Sequence, residues 1–181
     1  MAKRQNLLFF KNWLSIIICI FDLTVLARTR NIAEAIRLAV ENVKNGTGGP
    51  FGAVVVKDGK VIAASANTVT PDNDPTAHAE VNAIREACRQ LKSFQLTGCE
   101  IYCSCEPCPM CLGAIYWARP EKVYYACTKE DAAGGGFDDS FIYREIALPQ
   151  TERSIPFLHR QEKEAGEEFR LWVKKTDKTA Y

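Results

Sequence analysis

Two rhythms of apolar positions run through the first half of the chain. Ile32, Ile36, Leu38, Ala39, Val40 and Val43 recur at helical spacing, and Asn31 with Glu34 three residues later forms a capping pair. A helix is therefore predicted from Asn31 to Gly46. A glycine-rich turn follows, Gly46-Thr47-Gly48-Gly49-Pro50-Phe51-Gly52. The short runs Ala53–Val56 and Lys60–Ala64 then flank Asp58-Gly59, a hairpin signature, because both turn residues tolerate positive φ. After a polar loop, Asn67–Pro75, the pattern reads as helix (Ala77–Leu91), strand (Glu100–Cys103), helix (Cys108–Ala118) and strand (Lys122–Ala126). A second glycine cluster, Gly134–Gly136, leads into the run FDDSFIY, and Glu162–Lys175 reads as an amphipathic helix. The late strand–helix–strand order implies parallel pairing through a crossover helix. The fold predicted is α/β: a three-layer α/β/α sandwich on a mixed sheet of roughly five strands, the usual sheet size.

Composition narrows the class. The 181 residues suffice for one domain with its own core, and 47% hydrophobic with 25% charged residues excludes disorder, collagen and coiled coil. The formal net charge is +1, but residues 1–25 carry +2 of it and the remainder is −1. A main body of that charge does not favour a polyanionic partner. The tail Arg160–Lys178 sets six basic residues against five acidic ones, so it lacks the basic tract that binding a nucleic acid requires. Residues 1–25 start basic and continue into the apolar run Leu14–Phe21, whose eight residues fall far short of the ~20 that cross a bilayer. The segment is read as an N-terminal extension, with a targeting segment or a structural helix as alternatives. Residues 26–181 are read as the functional domain, with neither membrane nor nucleic acid as partner.

The chemistry concentrates in two short stretches. There are two histidines, His78 and His159, so a three-histidine zinc site is impossible. Of eight cysteines, Cys103, Cys105, Cys108 and Cys111 cluster, a pattern of metal or redox chemistry rather than of scattered disulfides. His78-Ala79-Glu80 opens one predicted helix, and Pro107-Cys108-Pro109-Met110-Cys111 opens another. Cysteines three apart at a helix start share a face, and the N-terminal dipole favours their thiolates. His78, Cys108 and Cys111 make three zinc ligands and leave a fourth tetrahedral position for water. Glu80, two residues beyond His78, can sit beside that water without binding metal and carry protons. Each half alone has another reading: His78 as a hydrogen-bonded core residue, Cys-x-x-Cys as a redox pair, or an all-cysteine site built from the four clustered thiols. Together they match the paired His-x-Glu and Pro-Cys-x-x-Cys signature of zinc deaminases. Cys103 and Cys105 are then expected to pack as small apolar strand residues. Cys19, Cys88, Cys99 and Cys127 receive no role.

The runs GGPFGAVVVKDG, NDPTAHAEVNAIREAC, SCEPCPMCLGAIYWARP and GFDDSFIY resemble the guanine deaminases of the cytidine deaminase-like zinc superfamily. The likeness runs from about Ala27 to Tyr181; the first 25 residues and the glycine-rich stretch before Asp139 depart from it. It implies one Zn2+ per subunit and hydrolysis of guanine to xanthine and ammonia, and a reduced cysteine-rich zinc site favours a cytoplasmic setting. Water adds at C2 while Glu80 takes its proton, passes one to the neighbouring ring nitrogen and protonates the departing amine. The base needs matching groups. Asp139, with Asp138 as its neighbour, suits the N1–H and amine donors, against a helix cap or turn aspartate. Asn67 suits an edge with both donors and acceptors, against a turn residue. Phe51 can cover a base face and Trp117 can line the pocket wall, against plain core packing for both. The resemblance implies a homodimer exchanging C-terminal segments, in which Tyr181 closes the partner's site; a loose tail is the alternative. Guanosine deaminase, cytosine deaminase and tRNA adenosine deaminase are the rival enzymes. A binding protein on an inactive deaminase fold would need a missing ligand or acid, and all four residues are present.

Overall fold

The computed structural model describes residues 25–180. Residues 1–24, with the apolar run of the N-terminal extension and Cys19, and Tyr181 at the other end, lie outside the described residues. The chain divides into two compact units, one up to Asp138 and one from Asp139.

In the first unit, α1 spans residues 25–44. Asn31 lies inside this helix rather than capping it, and its side chain hydrogen-bonds the Tyr102 hydroxyl. The buried face is also out of phase with the expected stripe. Ile32, Ala35, Leu38, Ala39 and Asn42 turn inward, whereas Ile36, Val40 and Val43 are exposed. Close approach decides this: a Cβ on Gly52 would lie 2.2 Å from the Ala35 carbonyl oxygen, so the helix seats its alanine face on the sheet.

β1 (Gly52–Lys57) and β2 (Lys60–Ala66) form the hairpin, with Asp58 at φ 49° and Gly59 at φ 73°. Positive φ at both turn residues matches the right-handed twist of the two strands. A four-residue helix, α2 (Val69–Asp72), and then α3 (Ala79–Leu91) follow. The chain continues through β3 (Cys99–Cys105), α4 (Pro109–Ala118), β4 (Lys122–Cys127) and α5 (Lys129–Gly134). The sheet order is β2-β1-β3-β4; β1 is antiparallel to both its neighbours, and β3 and β4 are parallel, joined through α4. The mixed sheet thus has four strands among the described residues, one fewer than the rough expectation, because after β4 the chain enters the capped helix α5 instead of pairing again.

Alternation along β1 supplies both faces of the sheet. Ala53 and Val55, with Ile101 of β3, pack against Ala79, Ala83 and Ala87 of α3 and Ile115 of α4. Val54 and Val56 pack with Ala35 and Tyr102 on the α1 side. These are the three layers.

The second unit holds α6 (Ser140–Ala147), a single 3-10 turn (Gln150–Glu152) and α7 (Glu167–Lys174). The Arg153 guanidinium caps the end of α6 through the Glu145 and Leu148 carbonyls. α7 starts five residues later than the sequence pattern suggested, at the left-handed N-cap Gly166 with φ 89°. No residue between 139 and 180 is buried.

A candidate metal centre at two helix starts

His78 is the N-cap of α3 and Cys108 the N-cap of α4, both in extended backbone conformation; Cys111 follows in the first turn of α4 behind Pro109 at its start. Proline there gives up an N–H that would be unpaired anyway. The crossover between β3 and β4 delivers one helix start to the other. His78 Nδ1 lies 3.5 Å from Cys108 Sγ and 3.6 Å from Cys111 Sγ, and the three donor atoms all fall within 4.8 Å of one another. Among the described residues this is the one such group, so the all-cysteine alternative does not assemble. Cys103 and Cys105 are buried in the sheet, as expected, and the Cys105 thiol donates to the Thr128 carbonyl at 3.3 Å.

The donor set fits a zinc ion. Two thiols this close cannot both ionise unless a cation offsets the second charge. The Cys108 thiol is brought down to about 4, first by the hydrogen bond from Cys111 and then by His78, while the same bond and burial push Cys111 up. Two sulfurs and an imidazole are the ligand types zinc prefers.

Glu80, in the first turn of α3, is 6% exposed and stands outside the three-donor group. Burial raises its carboxyl above the usual carboxylate range, and it is hydrogen-bonded to the Cys111 thiol. It is therefore a nearly dry acid–base group touching a candidate ligand.

Asn67 is buried one residue past β2. Its Oδ1 accepts from the backbone N–H of Gly49 at 3.4 Å and of Val69 at 3.2 Å. Its main chain bridges to Phe51, N–H to carbonyl at 3.0 Å. The residues on either side of Asn67 are tied to the metal-bearing helix: Asn82 Nδ2 donates to the Ala66 carbonyl at 3.1 Å and to Thr68 Oγ1 at 2.9 Å, and the Asn82 N–H donates to the His78 carbonyl at 2.9 Å. Phe51 is half-buried against the core and meets Phe137 edge-on, with ring centroids 5.0 Å apart. Trp117 is 64% exposed on α4, so the core-packing alternative does not describe it. Asp139 is the N-cap residue of α6, in the second unit. Two residues escaped the sequence reading. Phe137 carried the signal of an aromatic directly after three glycines. Asn42 carried the signal of a polar residue on the stripe defined by Ala35 and Ala39.

The chain belongs to the family of cytidine and deoxycytidylate deaminase zinc-binding proteins, whose pattern matches residues 28–127. Within that class the likeness is more particular. The chain is 57% identical over 150 residues to the guanine deaminase of Bacillus subtilis (strain 168), covering 83% of this chain and 96% of that protein. An X-ray structure of Bacillus subtilis guanine deaminase superposes with a TM-score of 0.83 at 56% identity, covering 84% of this chain and 98% of the other. The tRNA-specific adenosine deaminase of Aquifex aeolicus (strain VF5) is 46% identical over 85 residues, 47% of this chain and 56% of its own.

Proposed function

We infer that this protein catalyses the zinc-dependent hydrolytic deamination of guanine to xanthine and ammonia. The observation that carries the reading is the extent of the likeness. It reaches guanine deaminase across 83% of the chain, while the match to the tRNA adenosine deaminase covers 47%. His78, Cys108 and Cys111 hold the zinc. Bound there, zinc brings the pKa of a water molecule toward ~7 and so supplies a nucleophile at neutral pH. Glu80 accepts one proton of the attacking water and passes it to the ring nitrogen beside C2; it then takes the second proton from the new C2 hydroxyl and delivers it to the amine, so that the C2 carbonyl forms as the C2–N bond breaks and ammonia leaves. One carboxylate serves as base and then as acid, which suits a buried group adjoining the ligands.

The remaining residues bind the base. Asn67 has its amide oxygen occupied by two backbone donors, so its NH2 is the end offered to an acceptor on the purine edge. Asp139 receives the N1–H and amine donors, Phe51 covers one face, and Trp117 forms part of the wall. We further assign a homodimer with exchanged C-terminal segments, Tyr181 closing the partner's site. In support, residues 139–180 bury nothing of their own, and Phe169 and Val173 on α7 are 69% and 72% exposed. A site that needs two reduced thiols supports a cytoplasmic setting.

Ammonia release from guanine, guanosine, cytosine, adenine and tRNA tests the assignment. Guanine is expected to be turned over best. Preference for guanosine would move the substrate to the nucleoside, and release from tRNA alone would overturn the small-base reading.

A further inference from the structure

Asn42 is a buried polar side chain outside the metal centre with its whole amide hydrogen-bonded. It lies near the end of α1, 6% exposed, on the face turned to the sheet. Its Nδ2 donates to two carbonyls from separate segments, Gly49 and Asn67, each at 2.8 Å. Its Oδ1 accepts from the Thr47 hydroxyl at 2.7 Å. Both amide hydrogens and the amide oxygen are thus used, which fixes the orientation of the group. The turn is shaped to admit it. A Cβ on Gly48, at φ +154°, would lie 2.2 Å from the Asn67 carbonyl oxygen and 2.7 Å from Asn42 Nδ2. A buried amide carries a desolvation cost that an alanine at the end of a helix would not. Here that cost is offset by bonds to the glycine turn and to Asn67, the two segments that meet again through Phe51.

We propose that Asn42 is a positioning residue for substrate binding, clamping the Gly49–Phe51 turn against Asn67 so that the Asn67 amide and the Phe51 ring meet the purine in fixed places. The proposal rests on the guanine reading above. Asn42 touches no reacting atom. Its loss acts on ground state and transition state alike, raising KM and leaving kcat nearly intact.

The test compares Asn42→Ala, Asn67→Ala and the double variant, with Thr47→Val as a milder change that removes only the hydroxyl orienting the amide. Asn42→Ala is expected to raise KM for guanine about tenfold with kcat within about twofold, and Thr47→Val to raise it about two- to threefold. In the Asn67→Ala background the Asn42→Ala effect should largely disappear, because the two act in series. Additive effects, or a fall in kcat with KM unchanged, would overturn the proposal. Hydrogen exchange of the folded full-length variants gives a readout independent of substrate. Residues 46–52 and 66–69 should exchange faster while α3 and α4 stay protected. Unchanged exchange in those two segments overturns the clamp whatever the enzyme acts on. If the unaltered protein fails to deaminate guanine, the functional reading falls, and the clamp stands or falls on the exchange result.

Discussion

Glu80 is a carboxylate with almost no water around it, held two residues from one candidate ligand and hydrogen-bonded to another. Glu80→Gln keeps the size and one hydrogen-bonding oxygen while removing the proton carrier. It should retain one zinc per chain by elemental analysis and lose about 10²–10⁴-fold in turnover, the usual share of a general acid–base group. Near-normal turnover by that variant would refute the proton-carrying role. The place of Glu80 beside the candidate ligands was legible from the pairing of His-x-Glu with Pro-Cys-x-x-Cys, each at a predicted helix start. Asn42 was not. The large aliphatics Ile36, Val40 and Val43 suggested a buried stripe, and that phase turns Asn42 toward solvent. In the structure the small residues Ala35 and Ala39 select the face, because the helix approaches within contact of Gly52. Side-chain size signals burial when packing is loose; where backbones nearly touch, smallness does.

Among the elements, α5 shows how a short helix is secured. Thr128 and Asp131 form a reciprocal capping box: the Asp131 carboxylate accepts from the Thr128 N–H at 2.8 Å, and Thr128 Oγ1 accepts from the Asp131 N–H at 3.3 Å. Thr128→Ala should lower stability by about 1 kcal/mol, read from the denaturation midpoint. The bonds from Thr128 lower the Asp131 carboxyl below its ordinary value. A lowered folded-state pKa stabilises above the unfolded value of ~3.9 and loses that contribution as pH falls through the folded value. The advantage of the unaltered protein over Asp131→Asn should therefore be full at pH 7 and fade below about pH 4. A difference in melting temperature that grew on acidification would contradict the box. The elements that sequence placed best were those with local causes: the hairpin, from two turn residues tolerant of positive φ, and α4, from a proline at its start. α7 was drawn too long because the amphipathic pattern continues across Gly166, whose left-handed backbone holds back the helix start.

At the scale of the whole molecule, the question is what residues 139–180 pack against. Most of their apolar side chains are exposed, Tyr143 and Leu148 are partly covered, and none is buried. The apolar pattern predicted one helix there, over Glu162–Lys175, and did not predict α6 (Ser140–Ala147). Exchange between subunits can be tested by complementation. Full-length Glu80→Gln and a chain lacking residues 178–181 should each be nearly inactive. Co-expressed, they should recover activity, up to about a quarter of the sites by random pairing, because one chain supplies the acid and the other the tail. No recovery, or full activity of the truncated chain alone, would remove Tyr181 from the site.

His78 and Cys108 stand 30 residues apart in the chain, and the stretch between them contains α3 and β3. β3 is a central strand, flanked by β1 on one side and β4 on the other. A cation shared by the two ends therefore acts as a clasp on a closed loop of backbone. Closing such a loop restricts the unfolded chain, and the cost of closure rises only slowly with length, by about 0.6 kcal/mol per doubling. With an ion bound, the middle of the sheet and the metal centre would be fastened by the same three side chains, and the ion would also help to hold the central strand in its place.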